Sequence, residues 1–287
     1  VGVRDEEPGV VVTTTIIEEA HRARLETIKS QPRSVSQLQQ YQKCGYAFYL
    51  QRVARVWQRP AAWLPQGTAF HSAAEEYEKS DRTMTLAEME EAFRTHYAAD
   101  VNRLCDETPR LDFWFRSGPY DGEKDIERRY KKGLEQVERY HRYYEETHPE
   151  QTIWVAPDGT PGIELSFNIG LGGVRVRGFI DAVVIAYGRV IVRDNKTGKK
   201  PGNELQLAVY AEAIRQTYGE PINHGDYWMA EKGKPTVLYD LFEWGSYELA
   251  TEFDAMDQGV KAERFEPQPD PDKCMFCPVS HACRFAA

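Results

Sequence analysis

Gly178-Phe179-Ile180-Asp181 and, thirteen positions after its last residue, Asp194-Asn195-Lys196 are the segments on which the reading turns. Val174 to Ala186 is rich in β-branched and apolar residues and reads as a long strand. Arg189 to Asn195 reads as the next one, and Tyr187-Gly188 as a two-residue turn between them. With that turn Ala186 faces Arg189, and counting back places Asp181 opposite Asp194. Cross-strand partners have Cβ atoms roughly 5 Å apart, so two like charges would repel unless a divalent cation bridged them. Charged groups inside apolar strands are costly unless something binds them. Lys196 lies two residues beyond Asp194 and so points to the same face. Two carboxylates and an ammonium at one spot suit phosphodiester hydrolysis, because Mg²⁺ takes hard oxygen ligands and activates water. The plain alternative is a surface hairpin with an Asp194–Lys196 salt bridge, and one inserted residue would break the register.

Outward from the hairpin, Ile163 to Ile169 reads as a preceding strand, with Gly170, Gly172 and Gly173 as its turn. Glu204 to Tyr218 reads as a helix ending at Gly219, and Gln206 and Tyr210 lie one helical turn apart on it. Tyr227 to Ala230 and Thr236 to Glu243 read as further strands. Upstream, residues 33–150 are mainly helical. Ser34 or Ser36 offers an N-cap, Gly67 opens a helix over Thr68 to Lys79, and charged helical sequence runs from Leu86 to about His148. Breaks fall near Pro109 and at Gly118-Pro119. Residues 1–32 form an N-terminal extension containing the β-branched run Val10 to Ile17. Residues 151–262 are the core, and residues 263–287 a Pro-rich tail. The fold class is α/β, a mixed sheet flanked by helices.

Five cysteines punctuate the chain. Cys274, Cys277 and Cys283 crowd the tail, Cys44 lies far upstream, and Cys105 is left over as a small core residue. A tight thiol trio in a reducing compartment points to a metal. Four thiolates suit zinc or an iron–sulfur cluster, and His281 could replace one cysteine. The fourth ligand is available only if the two ends of the chain meet.

Taken together these segments resemble the RecB-like branch of the PD-(D/E)XK nucleases. Gly178–Asp181, Asp194–Gly198 and Gln206-Leu207-Ala208-Val209-Tyr210 are similar to its successive motifs. Gly67-Thr68-Ala69-Phe70-His71 resembles its upstream histidine motif, and Ser34–Leu38 with Tyr41 and Cys44 its N-terminal helix. The resemblance spans about residues 34–284 and implies a restriction-endonuclease-like core. It implies His71, Asp181, Asp194 and the Asn195 carbonyl as ligands of Mg²⁺ or Mn²⁺, Lys196 as the catalytic lysine, and Gln206 and Tyr210 facing the site. Glu164 resembles an acidic family position on the preceding strand. Members such as AddB-type recombination nucleases and CRISPR-associated adaptation nucleases carry a 4Fe–4S cluster, which implies Cys44, Cys274, Cys277 and Cys283 as its ligands. Taken singly, His71 reads equally as a buried helical histidine, and Gln206 and Tyr210 as an ordinary helix face.

The chain has 287 residues and a net charge of −9, which argues against a nonspecific coat for nucleic acid. Local basic groups can still hold phosphates. Lys199 and Lys200 follow the catalytic motif directly, and Arg52 and Arg55 recur at near-helical spacing beside Trp57. Arg128, Arg129, Lys131 and Lys132 form a further basic cluster, and each of these patches reads also as a solvated helix face. No run of about 18 apolar residues appears, and the polar start lacks the core of a signal peptide. A cytoplasmic enzyme is expected: a metal-dependent deoxyribonuclease acting on single strands or ends, with recombination, repair or CRISPR-adaptation proteins as its partners. The rivals are an inactive iron–sulfur DNA-binding module and a zinc-stapled RNA-processing nuclease.

Overall fold

A computed structural model describes the backbone of residues 8–287 and the side chains from Glu18 onward. The chain forms two compact units, Arg59–Thr251 and the described part of Val1–Gln58 together with Glu252–Ala287.

The larger unit begins with three helices, α4 (Trp63–Lys79), α5 (Leu86–Glu107) and α6 (Gly122–Arg142). Helix α4 starts four residues before the expected Gly67. Thr85 and Glu88 form a reciprocal capping box at the start of α5, which satisfies two of the helix's orphan amides. Phe70, Ala73 and Tyr77 of α4 pack with Phe93 and Tyr97 of α5, with Val137 and Tyr140 of α6, and with Trp228. A single π-helical turn, Tyr143–Thr147, ends α6 and buries Tyr143 and Tyr144.

The sheet follows, with strands β1 (Thr152–Ile153), β2 (Ile163–Leu171), β3 (Val174–Ala186), β4 (Arg189–Lys196), β5 (His224–Met229), β6 (Lys234–Pro235) and β7 (Tyr239–Asp240). Its order is β1-β3-β4-β5-β6, with β2 also on β3 and β7 on β5. It is mixed, since β4 and β5 are parallel and the other pairs antiparallel. Helix α7 (Glu204–Tyr218) makes the crossover between β4 and β5 and ends on Gly219 in the left-handed conformation, a common helix stop. The expected strand over Thr236 to Glu243 shrinks to β7. Helix α8 (Ser246–Lys261), which the sequence reading did not identify, leads from the larger unit into the smaller.

The smaller unit holds α1 (Pro8–Ser30), α2 (Val35–Lys43), α3 (Gly45–Arg52), the end of α8, and α9 (Pro271–Met275). The run Val10 to Ile17 lies within α1, and residues 1–7 of the expected extension lie outside the described residues. Ser34 caps α2, its hydroxyl accepting from the Gln37 N–H. The C-terminal stretch packs on these helices through Tyr41, Phe48 and Tyr49 against Phe265. Arg33, fully buried, pairs with Asp257 at 2.7 Å. Among the described residues no helix is long and apolar enough to cross a membrane.

Candidate active site

The hairpin register is the one the two-residue turn requires. Ala186 pairs with Arg189 and Ala182 with Arg193, so the next step sets Asp181 against Asp194. Tyr187 and Gly188 both take positive φ, 54° and 72°, the turn whose twist matches that of the strands. Beyond Ala182 the ladder opens. Asp181 Oδ2 accepts the backbone N–H of Asn195 at 2.8 Å.

A third carboxylate enters from β2. The ladder between β2 and β3 pairs Ile163 with Ala182 and Leu165 with Ile180, and leaves out Glu164 between them. Glu164 has φ +45°, a left-handed conformation that costs a non-glycine residue about 1–2 kcal/mol. Ligand atoms of Glu164, His71 and Asp181 all lie within 4.8 Å of one another. His71 comes from α4, and its Nδ1 stands 3.2 Å from Asp181 Oδ2.

Asp194 is buried and held from three sides. Gln206 Nε2 donates to its Oδ1 at 2.7 Å, and the Tyr210 hydroxyl donates to the same oxygen at 3.3 Å. Lys196 Nζ forms an ion pair with Oδ2 at 2.6 Å. The lysine also donates to Gln206 Oε1 at 3.2 Å. Tyr210 is fixed in turn by Phe167, with ring centroids 6.1 Å apart. Phe167 lies across the ladder from Gly178, where a Cβ would meet its ring at 2.8 Å. The glycine of the Gly178–Asp181 motif is therefore the space in which Phe167 sits.

The electrostatics are those of a crowded anionic site. Burial and the neighbouring Asp181 push Glu164 up to about 7, and the same two causes push Asp194 up to about 6. Burial also opposes ionisation of Asp181, but His71, the Asn195 N–H and Lys196 outweigh it and hold its carboxyl below the usual range. Burial would lower His71, yet Asp181, Asp194 and Glu164 together raise it to about 9. Burial and Asp194 raise the Tyr210 phenol well above its ordinary value, so it stays a donor. Two carboxylates and one imidazole with ligand atoms within 4.8 Å of one another fit a small divalent cation.

Several residues that shape this centre carry no sequence signal of their own. Buried Gln66 and Gln136 bond to each other at 2.7 Å, and Gln136 donates on to the Thr197 carbonyl at 3.0 Å. This ties α4 and α6 to the segment that follows β4. Arg193 and Asp226, both fully buried, form a bidentate pair at 2.7 Å across β4 and β5. Asp226 was detectable by the criterion that singled out the hairpin, a charge inside an apolar strand.

Lys199 and Lys200 are exposed just past the strand. Arg52 and Arg55 belong to the smaller unit, where Arg52 is partly buried and donates to Gln40. The cluster on α6 is neutralised internally: Arg128 and Arg129 meet Asp125, Lys131 meets Glu127, and Lys132 meets Glu231.

Cys44, Cys274, Cys277 and Cys283 line one cavity of about 400 Å³ in the smaller unit. The two ends of the chain therefore meet at the thiols. Among the described residues no three cysteine sulfurs come within 4.8 Å of one another, so no formed thiolate cage is present. Burial raises the Cys277 thiol, and backbone amides lower that of Cys274. Cys105 is half-buried on α5, not in the core as expected.

Two curated relatives, a solved structure and a family profile are similar to this chain. Over 264 residues, 89% of this chain and 97% of the relative, the sequence is 52% identical to the Gene 69 protein of Mycobacterium phage D29. It is 48% identical over 278 residues to the Gene 69 protein of Mycobacterium phage L5, covering 88% of this chain and 95% of that one. A solved structure from Eubacterium rectale designated a candidate exonuclease aligns at 14% identity and a TM-score of 0.45, over 92% of this chain and 91% of its own. The profile of the PD-(D/E)XK nuclease superfamily matches residues 32–284, and the chain belongs to that superfamily.

Proposed function

We propose that this protein is a Mg²⁺- or Mn²⁺-dependent deoxyribonuclease that hydrolyses phosphodiester bonds in single-stranded DNA or at DNA ends. The observation that carries the reading is the convergence of His71, Glu164 and Asp181 within 4.8 Å, beside an Asp194 that Lys196, Gln206 and Tyr210 hold. His71, Glu164, Asp181 and Asp194 would hold the cation, with the Asn195 carbonyl as a further donor. Bound there, it would polarise a phosphate oxygen and acidify water. Lys196 would orient the attacking water and offset negative charge developing on phosphorus. Gln206 and Tyr210 keep Asp194 in one rotamer. Lys199 and Lys200 would take phosphates next to the scissile bond, and Arg52 and Arg55 are the candidate phosphate contacts of the smaller unit.

End-labelled single- and double-stranded DNA, incubated with Mg²⁺, with Mn²⁺, with EDTA and with the Asp194→Ala variant, tests this directly. Cleavage that requires both metal and Asp194 is expected. Cleavage that survives EDTA or the loss of Asp194 and of Asp181 would sink the reading.

We further propose that Cys44, Cys274, Cys277 and Cys283 hold a 4Fe–4S cluster that fastens the C-terminal tail. Four thiols on one cavity wall support it. Zinc is the other ion that four thiolates suit. Iron and sulfide analysis of anaerobically purified protein decides between them: four irons are expected, and one zinc per chain refutes the cluster.

A further inference from the structure

Upstream of Asp181, strand β3 carries a second pattern that the hydrolytic site does not use. Val174, Val176 and Ile180 are buried, and Arg175, Arg177 and Phe179 between them are exposed. Phe179 is 61% exposed and makes no ring contact with any described residue. Arg177 has neither an ion pair nor a hydrogen bond among the described residues, and Arg175 has one long contact, to Asn168 Oδ1 at 3.4 Å. Across the ladder stand Ser166, Asn168 and Gly170, opposite Phe179, Arg177 and Arg175 in turn. These are small and uncharged, so the floor beside the three side chains is open. No carboxylate lies on this face of the ribbon until Glu164 and Asp181. Arg128, Arg129, Lys131 and Lys132 on α6 each meet a carboxylate, whereas Arg175 and Arg177 meet none among the described residues.

An exposed aromatic ring in line with uncompensated guanidiniums is what an unpaired nucleic-acid strand requires: a surface for a base and charges for its phosphates. We propose that the exposed face of the β2–β3 ribbon is a track for single-stranded DNA leading into the carboxylate site. Phe179 stacks on the base beside the phosphate at Asp181, and Arg177 and then Arg175 hold the phosphates that follow. Alternate residues on a strand lie about 6.7 Å apart, the scale of one nucleotide of extended chain. A base already stacked in a duplex has no free face for Phe179, so the track selects unpaired DNA. This inference rests on the nuclease reading and supplies its substrate preference.

The test separates the two. Binding of a labelled oligothymidylate to the full-length protein is followed in EDTA across a salt series, and cleavage is followed in Mg²⁺. Phe179→Ala is expected to weaken binding about tenfold and to leave duplex affinity unchanged, and Phe179→Tyr to restore it. Arg175→Gln and Arg177→Gln should each reduce the slope of log Kd against log salt by about 0.7. In Mg²⁺ these variants should raise KM and keep kcat at saturating DNA. Wild-type binding by Phe179→Ala and by the double arginine variant, with cleavage intact, overturns the track and leaves the nuclease. The expected losses of binding in a protein that never cleaves overturn the nuclease and leave the track. Equal loss of duplex affinity in Phe179→Ala overturns selection of unpaired strands.

Discussion

Lys196 is the residue whose position admits two uses, and its neighbours decide between them. Its ammonium touches Asp194 and Gln206 and lies 5.4 Å from the Tyr227 ring centre, half-exposed at the mouth of the site. A lysine serving only as a surface salt bridge would contribute less than about 1 kcal/mol and nothing to rate. Lys196→Ala is expected to lower kcat about 100- to 1000-fold and to leave the unfolding midpoint nearly unchanged, as cleavage assays and thermal melts on one preparation would show. The carboxylates give a pH signature. Glu164 and His71 both have folded values above their ordinary ones, about 7 and about 9. Each binds a proton more tightly in the folded state, so the stability it adds is full below its ordinary value and is lost as pH rises through its folded value. Metal-free protein should therefore lose stability between pH 5 and 9. A cation must displace those protons, so its affinity should rise over the same window. Calorimetry in buffers of different ionisation enthalpy would detect the released protons, and His71→Ala should release fewer.

Strand β4 does two jobs with adjacent residues. Asp194 and Lys196 face the site, and Arg193 between Val192 and Asp194 is buried against Asp226, Tyr144 and Gln151. A parallel strand pair has no hairpin turn to set its register, and the Arg193–Asp226 match at paired positions fixes it. Arg193→Leu should cost about 3–5 kcal/mol, because Asp226 would be buried without its partner. The double change to apolar residues should recover most of that loss in urea unfolding. If Arg193→Leu alone is neutral, the pair sets no register. That two carboxylates and a lysine meet at this hairpin was legible from its charges and its turn. That β4 should also bury an arginine was not, because a basic residue in a strand reads as exposed until its partner strand is known.

For the molecule as a whole, the smaller unit closes the chain on itself independently of any metal. Arg33 reaches Asp257, 224 positions away, and also donates to the Ile28 carbonyl, and the Tyr41 hydroxyl donates to the Arg264 carbonyl. Arg33→Ala is expected to destabilise this unit by about 3 kcal/mol, at the low end for a buried pair because Lys261 also contacts Asp257. Chemical denaturation of the metal-free protein would show it as an early transition. No such transition would mean that the Arg33–Asp257 pair does not hold this unit together. Sequence by itself determined the local features: the strands of the hairpin, its two-residue turn, the Ser34 cap, and the presence of carboxylates where an apolar strand tolerates none unbound. These follow from turn chemistry and from the energetic penalty of a buried charge, which act over a few residues. Only the tertiary structure decided that Glu164 leaves its ladder to join His71, that Gln66 and Gln136 brace Thr197, and that Arg177 and Arg175 meet no carboxylate among the described residues. Those facts depend on what approaches from distant parts of the chain, and no local spacing encodes that approach.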